Sequence, residues 1–217
     1  MVNDEIRNKR LRLLIKKFNK QRKKQAMQID ILCNDIMMAH KDFLKALHTI
    51  GFAADFYNSI VGLTDLNELL CTAGSYIQKH TPDVHIAFFL LAPSGVEGVQ
   101  PENFELHVFE SDQPIDPENK RVENFFNTEL VTSISKSNQI CTVEDMLGMG
   151  LQCSPVFLEK ISTAAIPLAT ASSSTGFMLV YRSSHNPLTV EELKAMAQIT
   201  PGLARSIASC RATIANA

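Results

Sequence analysis

The chain has 217 residues, of which 45% are apolar and 20% charged, and its formal net charge is −2. This composition is typical of a globular protein and excludes collagen-like, low-complexity and wholly disordered chains. The longest apolar run, residues 86–93, is far shorter than the ~20 residues of a membrane-spanning helix, and the basic N-terminus lacks the apolar core of a secretory signal. We therefore expect a cytoplasmic protein without a transmembrane segment.

The first 24 residues are strongly basic. They contain ten Lys and Arg against two acidic residues, which leaves 11 basic and 21 acidic residues in the rest of the chain. Three interpretations are open: a solvated charged face, contact with an anionic membrane surface or partner, and nucleic-acid binding by a basic region that leads into a zipper. The third is the least favoured, because Leu11, Ile15 and Phe18 continue an apolar stripe that a DNA-gripping basic region would lose.

Residues 6–60 predict one long helix with a coiled-coil seam. Apolar residues or alanine recur at alternating steps of four and three, interrupted only by Arg22 and Gln25. A single helix cannot bury such a seam, so we expect a homodimer; the alternative is an intramolecular bundle with the C-terminal helix. The predicted interface residues are Leu11, Ile15, Phe18, Ile29, Leu32, Ile36, Phe43 and Ile50.

The following segment predicts a helix and a hairpin. Thr64 is a plausible N-cap for a helix that continues to about residue 80. Residues 84–91 form an unbroken apolar run that predicts a buried strand, and residues 103–110 alternate like a second strand. The intervening residues 92–103 contain Pro and Gly and predict a turn, which makes the two strands an antiparallel hairpin.

The C-terminal half predicts more strands and a long closing helix. After a polar loop at 111–120 we expect a short helix at 122–134, a strand at 139–143 followed by a loop with Gly148 and Gly150, and strands at 162–169 and 176–182. Thr189 and Glu192 have the spacing of a capping box that begins the last helix, in which Pro201 predicts a kink or brief rupture. This order predicts an α+β fold, an antiparallel sheet with helices on one side.

Residues 54–212 resemble a GAF domain, a sensory module of bacterial signalling proteins. The resemblance rests on the opening helix LTDLNELLCTAGSYIQKH, the strands VHIAFFLLAP and ISTAAIPLA, the segment FFNTELVTSISKSNQICTVEDM and the stretch GFMLVYRSSHNPLTVEEL. It implies a ligand pocket enclosed by the sheet and its crossing loops. It also implies long flanking helices that form a parallel dimer bundle and pass a signal to an output module, here a separate protein or a missing domain.

The chain departs from the better-defined branches of that family. It lacks the Asn-Lys-Phe-Asp-Glu set of cyclic-nucleotide binders, a cysteine in a bilin-attachment context, and the three-cysteine arrangement of free methionine sulfoxide reductases. The resemblance therefore leaves the cofactor and the ligand unknown.

Strand alternation predicts a ligand cleft. Glu105, His107 and Phe109 share one face of residues 103–110, and a carboxylate, an imidazole and an aromatic ring together are typical of a small-molecule site. Phe104, Leu106 and Val108, on the other face, should pack on helices. We expect Phe126 and Cys141 to close the cleft; the alternative is an ordinary packed sheet face without a ligand.

We expect no catalytic or metal site. The sequence has no phosphate-binding loop, nucleophile elbow or zinc-protease motif, and its five cysteines form no C-x-x-C pair, which indicates reduced thiols. The best enzymatic alternative would use Cys141 or Cys153 as a redox thiol.

These patterns predict two parts: a basic coiled-coil segment at 1–60 and a GAF-like sensory domain at 61–217. We expect a non-enzymatic signal-sensing or regulatory homodimer that binds a small molecule. The alternatives are a purely structural dimerisation module and a nucleic-acid binder through the basic helix.

Overall fold

The computed structural model describes residues 2–92, 104–110, 121–170 and 174–215. The chain divides into two compact units, the first extending to Ile50 and the second beginning at Gly51. A single helix, α1 (Val2–Ile60), contributes to both. The division lies ten residues before the predicted boundary at 60/61, because Phe52, Phe56 and Ile60 are buried in the hydrophobic core of the second unit.

The second unit contains a five-stranded antiparallel sheet, as predicted. The strands are β1 (His85–Leu91), β2 (Phe104–Phe109), β3 (Cys141–Thr142), β4 (Ile161–Ala169) and β5 (Ser174–Ser183), in the order β2-β1-β5-β4-β3. The predicted hairpin is confirmed by the pairing of β1 with β2, in which Ile86 lies opposite Phe109. The loops predicted at 92–103 and 111–120 fall almost wholly outside the described residues.

Five further α-helices occur among the described residues: α2 (Leu66–His80), α3 (Thr128–Lys136), α4 (Val143–Gly148), α5 (Pro155–Leu158) and α6 (Val190–Ala215). The helix predicted at 122–134 is divided into a 3-10 turn at Val122–Phe125 and α3, because the Asn127 side chain caps a new helix by accepting from the Leu130 N–H. The loop predicted after β3 instead begins with α4, since Thr142 and Asp145 form a capping box.

The two predicted helix starts have different outcomes. The N-cap of α2 is Asp65 rather than Thr64; its carboxylate accepts from the Glu68 N–H at 2.8 Å. At α6 the capping box is confirmed, because the Glu192 carboxylate accepts from the Thr189 N–H at 2.7 Å and the Glu192 N–H donates to the Thr189 hydroxyl at 3.2 Å. Arg182 of β5 also donates to Glu192 at 2.8 Å, which fixes the start of α6 against the sheet.

Hydrophobic cores cover both faces of the sheet, so the expectation of helices on one side is wrong. On the first face, α2, α6 and the end of α1 pack against alternate residues of the strands, among them Ile86, Phe88, Leu90, Ile166, Met178 and Val180. On the second face, the 3-10 turn and α3, α4 and α5 pack against Ala87, Phe89, Ala165, Phe177, Leu179 and Tyr181. Both sets of strand residues are apolar, and burying both requires two helical layers.

Candidate functional site

The predicted dimer seam of α1 is exposed to solvent. All eight predicted interface residues, from Leu11 to Ile50, expose between 52% and 67% of their surface in a single chain. Contiguous exposed apolar surface of this kind marks interaction sites, because water-exposed Leu, Ile and Phe gain free energy on burial. The first unit therefore offers a long apolar face along one helix.

Glu105 and His107 belong to a polar cluster at the edge of the sheet. Arg211 of α6 donates to the Glu105 carboxylate at 3.0 Å and to the Leu91 carbonyl at 2.6 Å. The His107 Nε2 atom lies 3.9 Å from the same carboxylate, and it is buried with no hydrogen-bond partner among the described residues. Arg211 is 106 residues away from Glu105 in the sequence, so no local pattern could have predicted this ion pair.

Phe109 is partly buried and packs against the core of the first face. Its ring packs edge-on against Phe88, with the ring centroids 5.7 Å apart. It also fills the space above Gly74 of α2, where an added Cβ would lie 2.9 Å from the Phe109 ring. The absence of a side chain at Gly74 thus lets α2 approach β2 closely.

Phe126 and Cys141 lie on the opposite face of the sheet. Phe126 packs against Phe89 and Phe177, with ring centroids 4.9 and 5.8 Å apart. Cys141 is buried and its Sγ lies 3.1 Å from the Ser137 hydroxyl. The five predicted site residues therefore do not line one cleft. The prediction placed a covering helix over Glu105, His107 and Phe109, whereas Phe126 packs on the face of Phe104 and Val108.

A buried pair of a tyrosine and a glutamate lies on this second face, and the sequence analysis missed it. The Tyr181 hydroxyl donates to Glu123 Oε2 at 2.7 Å, and both side chains are buried. Burial, followed by the charge of Glu123, raises the pKa of Tyr181 well above its usual range. The phenol therefore stays protonated and serves as a hydrogen-bond donor to the carboxylate. Glu123 was missed because its partner Tyr181 lies 58 residues later in the sequence, beyond the reach of any local pattern.

All five cysteines are free in the structure. Burial raises the pKa of Cys153, only partly offset by the Ser154 N–H, and thus disfavours the reactive thiolate. Within the described residues, no three His, Cys, Asp or Glu side chains are grouped so that they could hold a metal ion.

Searches of known proteins identify the fold. None of the protein-family models matches the chain, and no curated protein matches it. Among solved structures, the GAF domain of a phosphoenolpyruvate-protein phosphotransferase from Coxiella burnetii matches 78% of this chain and 98% of its own length, with a TM-score of 0.53 and 14% identity. A GAF domain/HD domain protein from Geobacter sulfurreducens matches 70% of this chain and 97% of its own, with a TM-score of 0.48 and 14% identity. The match to the Coxiella burnetii domain shows that the chain has a GAF-like fold.

In residues 2–92, 104–110, 121–170 and 174–215, no helix combines the length and the apolar character needed to cross a bilayer.

Proposed function

We propose that this GAF-like chain is a non-catalytic, cytoplasmic sensory or regulatory module that forms a homodimer through α1. The observation that carries the proposal is the exposed seam of eight large apolar residues between Leu11 and Ile50. The GAF-like fold supports a regulatory role, since the domains it resembles are sensory modules. A bound small molecule would act on the dimer only through its difference in affinity for two settings of the helices.

The seam favours a second copy of α1 as its partner. Its apolar positions repeat every 3.5 residues, and helices with this repeat pair with one another along a left-handed coiled coil. Burying one Leu, Ile or Phe is worth about 1.5–3 kcal/mol. A few of the eight positions would therefore offset the several kcal/mol that association costs.

The intramolecular alternative would require α6 to cover the seam of α1. The apolar stripe of α6 is already used in the core of the second unit, where Met196, Ile199, Leu203 and Ile207 are at most 1% exposed. These residues are not available to cover the seam at 11–50, which supports pairing between chains.

A pair of adjacent substitutions tests the dimer. Ile36 lies in the seam, whereas Met37 points to the outer side of the predicted coiled coil, and both are about equally exposed, at 67% and 70%. We expect Ile36→Glu to remove about 2 kcal/mol of burial in each chain, which raises the dimer dissociation constant by ~1,000-fold. Met37→Glu should leave it nearly unchanged. Sedimentation equilibrium measures both.

Two results would contradict the dimer. One is a wild-type chain that sediments as a 24.1 kDa monomer at high concentration. The other is an equal response to Ile36→Glu and Met37→Glu. Native mass spectrometry of freshly purified protein then separates sensing from a purely structural role: we expect a dimer that retains a small molecule, whereas a bare dimer under all conditions favours a structural dimerisation module.

A further inference from the structure

A cavity of about 340 Å³ lies beside α6, on the face of the sheet that carries the long helices. None of the five residues predicted to bind a ligand lines it. Its walls come from the segment before β3, the end of β4 and the middle of α6. The lining residues are Asn138, Ile140, Ile166, Pro167, Ala169, Thr170, Ala197, Thr200 and Pro201.

The cavity arises because β3 is short. β3 pairs with β4 at Ala164 and Ala165, and the pairing does not extend to Pro167. Pro167 has no N–H to donate to a further strand, so β4 tolerates an unpaired edge there. The chain turns before β3 at Asn138, whose φ of 52° is in the left-handed region. This turn leaves a space between Ile140, the end of β4 and α6.

The α6 wall of the cavity has an interrupted backbone ladder. Pro201 cannot donate a hydrogen bond to the Ala197 carbonyl, four residues earlier. The Thr200 hydroxyl, which is buried, donates to this carbonyl at 3.0 Å instead. One turn of α6 is therefore held by a side chain that also lines the cavity.

The same turn of α6 contacts α1 on its other side. The Tyr57 hydroxyl donates to the Gln198 carbonyl at 2.9 Å. The Tyr57 ring lies against Gly202, where an added Cβ would be 2.0 Å from the ring. A second groove, of about 690 Å³, includes Tyr57 and Gly202 and shares Pro201 with the cavity. A displacement of α6 at Pro201 would thus alter its contact with Tyr57 of α1.

The lining indicates the chemical class of ligand. Six of its nine described residues are Ile, Ala or Pro, the other three are Asn138, Thr170 and Thr200, and none is charged. A charged ligand would lose hydration here without gaining a countercharge. The volume is roughly twice that of an apolar cavity of ~150 Å³ that holds benzene. The cavity therefore suits an uncharged molecule of one or two rings with a hydrogen-bonding group.

We propose that this cavity binds such a neutral, largely apolar ligand, and that occupancy resets the turn of α6 at Pro201 and its contact with Tyr57 of α1. The effect on signalling rests on the proposed function, whereas binding itself does not. The ligand selects between two arrangements of the Ala197–Thr200 turn, and its action is limited to its difference in affinity for them.

Indole is a suitable probe, because it is neutral, bicyclic and carries one N–H donor. In a methyl and aromatic NMR titration of the full chain, we expect saturable shifts at Ile140, Ile166 and Ala197, accompanied by shifts of the Tyr57 ring signals. Indole-3-acetate, which adds a carboxylate, should not produce them. Ala197→Leu fills the cavity from α6 and should weaken indole binding at least tenfold. Ala208→Leu, at an exposed position of the same helix, is the matched control and should bind as wild type.

Several outcomes would overturn the proposal. These are no saturable shift up to the solubility limit of indole, equal binding by Ala197→Leu, or shifts confined to the Phe89 and Phe177 core. Binding without a response of Tyr57 would overturn the coupling to α1. If Ala197→Leu does not fold, Ala169→Leu narrows the cavity from β4 and serves the same purpose. The titration repeated on Ile36→Glu separates the two proposals, because binding should persist there even though the dimer is lost.

Discussion

Two stretches of α1, residues 11–50 and 52–60, both carry large apolar side chains, but the first is exposed to solvent and the second is buried. From Leu11 to Ile50 the seam residues are more than half exposed, whereas Phe52, Phe56 and Ile60 are at most 9% exposed. Ala53 and Tyr57, which continue the predicted seam, are partly buried against the same core. The apolar face of α1 is therefore exposed up to Ile50 and faces a globular core from Phe52 onward.

An amphipathic pattern predicts an apolar face, but it does not determine which part of the protein, or which partner, covers that face. Over residues 52–60 the cover is supplied by α2, α6 and the sheet within the same chain. Over residues 11–50 no described side chain buries the seam to the same degree, which is why we assign it to a second copy. Substitutions in the two stretches should accordingly affect different measurements.

The largest expected difference is between two phenylalanines of α1. Phe56 is fully buried and Phe43 is 59% exposed. In the Ile36→Glu background, chosen to prevent the proposed dimerisation, Phe56→Ala should lower the free energy of unfolding by about 3–5 kcal/mol through the cavity that it leaves. Phe43→Ala should change it by less than about 0.5 kcal/mol. Urea unfolding followed by circular dichroism at 222 nm measures both, and equal effects would refute the distinction between the two stretches.

A smaller effect is expected where α1 meets α6. Gly202→Ala would place a Cβ 2.0 Å from the Tyr57 ring, so the ring or the helix must move. Overpacking of this kind costs roughly 1–3 kcal/mol, which the better helix propensity of alanine offsets by about 1 kcal/mol. We expect a net loss of stability of about 1 kcal/mol in thermal or urea unfolding. In the Tyr57→Ala background the Gly202→Ala substitution should no longer destabilise the protein, which would confirm the cause. A stabilised single variant would show that Tyr57 does not restrict this position.

The smallest effect has the opposite sign. Gly51 lies within α1, is exposed, and has nothing within 4 Å of an added Cβ. Gly51→Ala should stabilise the protein by about 0.5–1 kcal/mol, because glycine is a poor helix former. It should raise the helical signal without changing the dimer dissociation constant. A destabilised Gly51→Ala variant would indicate that this position needs the flexibility of glycine.

The candidate site was less predictable than the elements that carry it. Alternation correctly placed Glu105, His107 and Phe109 on one face of β2, but it could not show that Phe109 fills the space above Gly74. It also could not show that Arg211 would form an ion pair with the Glu105 carboxylate. The cavity at Pro201 was missed because its walls come from three segments far apart in the sequence.

The sequence by itself determined the local features of this protein. The helix start at Thr189 and Glu192, the apolar strand β1 and the long helix α1 follow from capping, β-propensity and periodicity, which act between residues a few positions apart. Only the tertiary structure decided that helices cover both faces of the sheet, that Phe126 faces away from Phe109, and that the second compact unit begins at Gly51. These outcomes depend on contacts between segments that are far apart in the sequence. Such contacts gain free energy because one segment buries its apolar surface against another, so the sequence of neither segment alone predicts them.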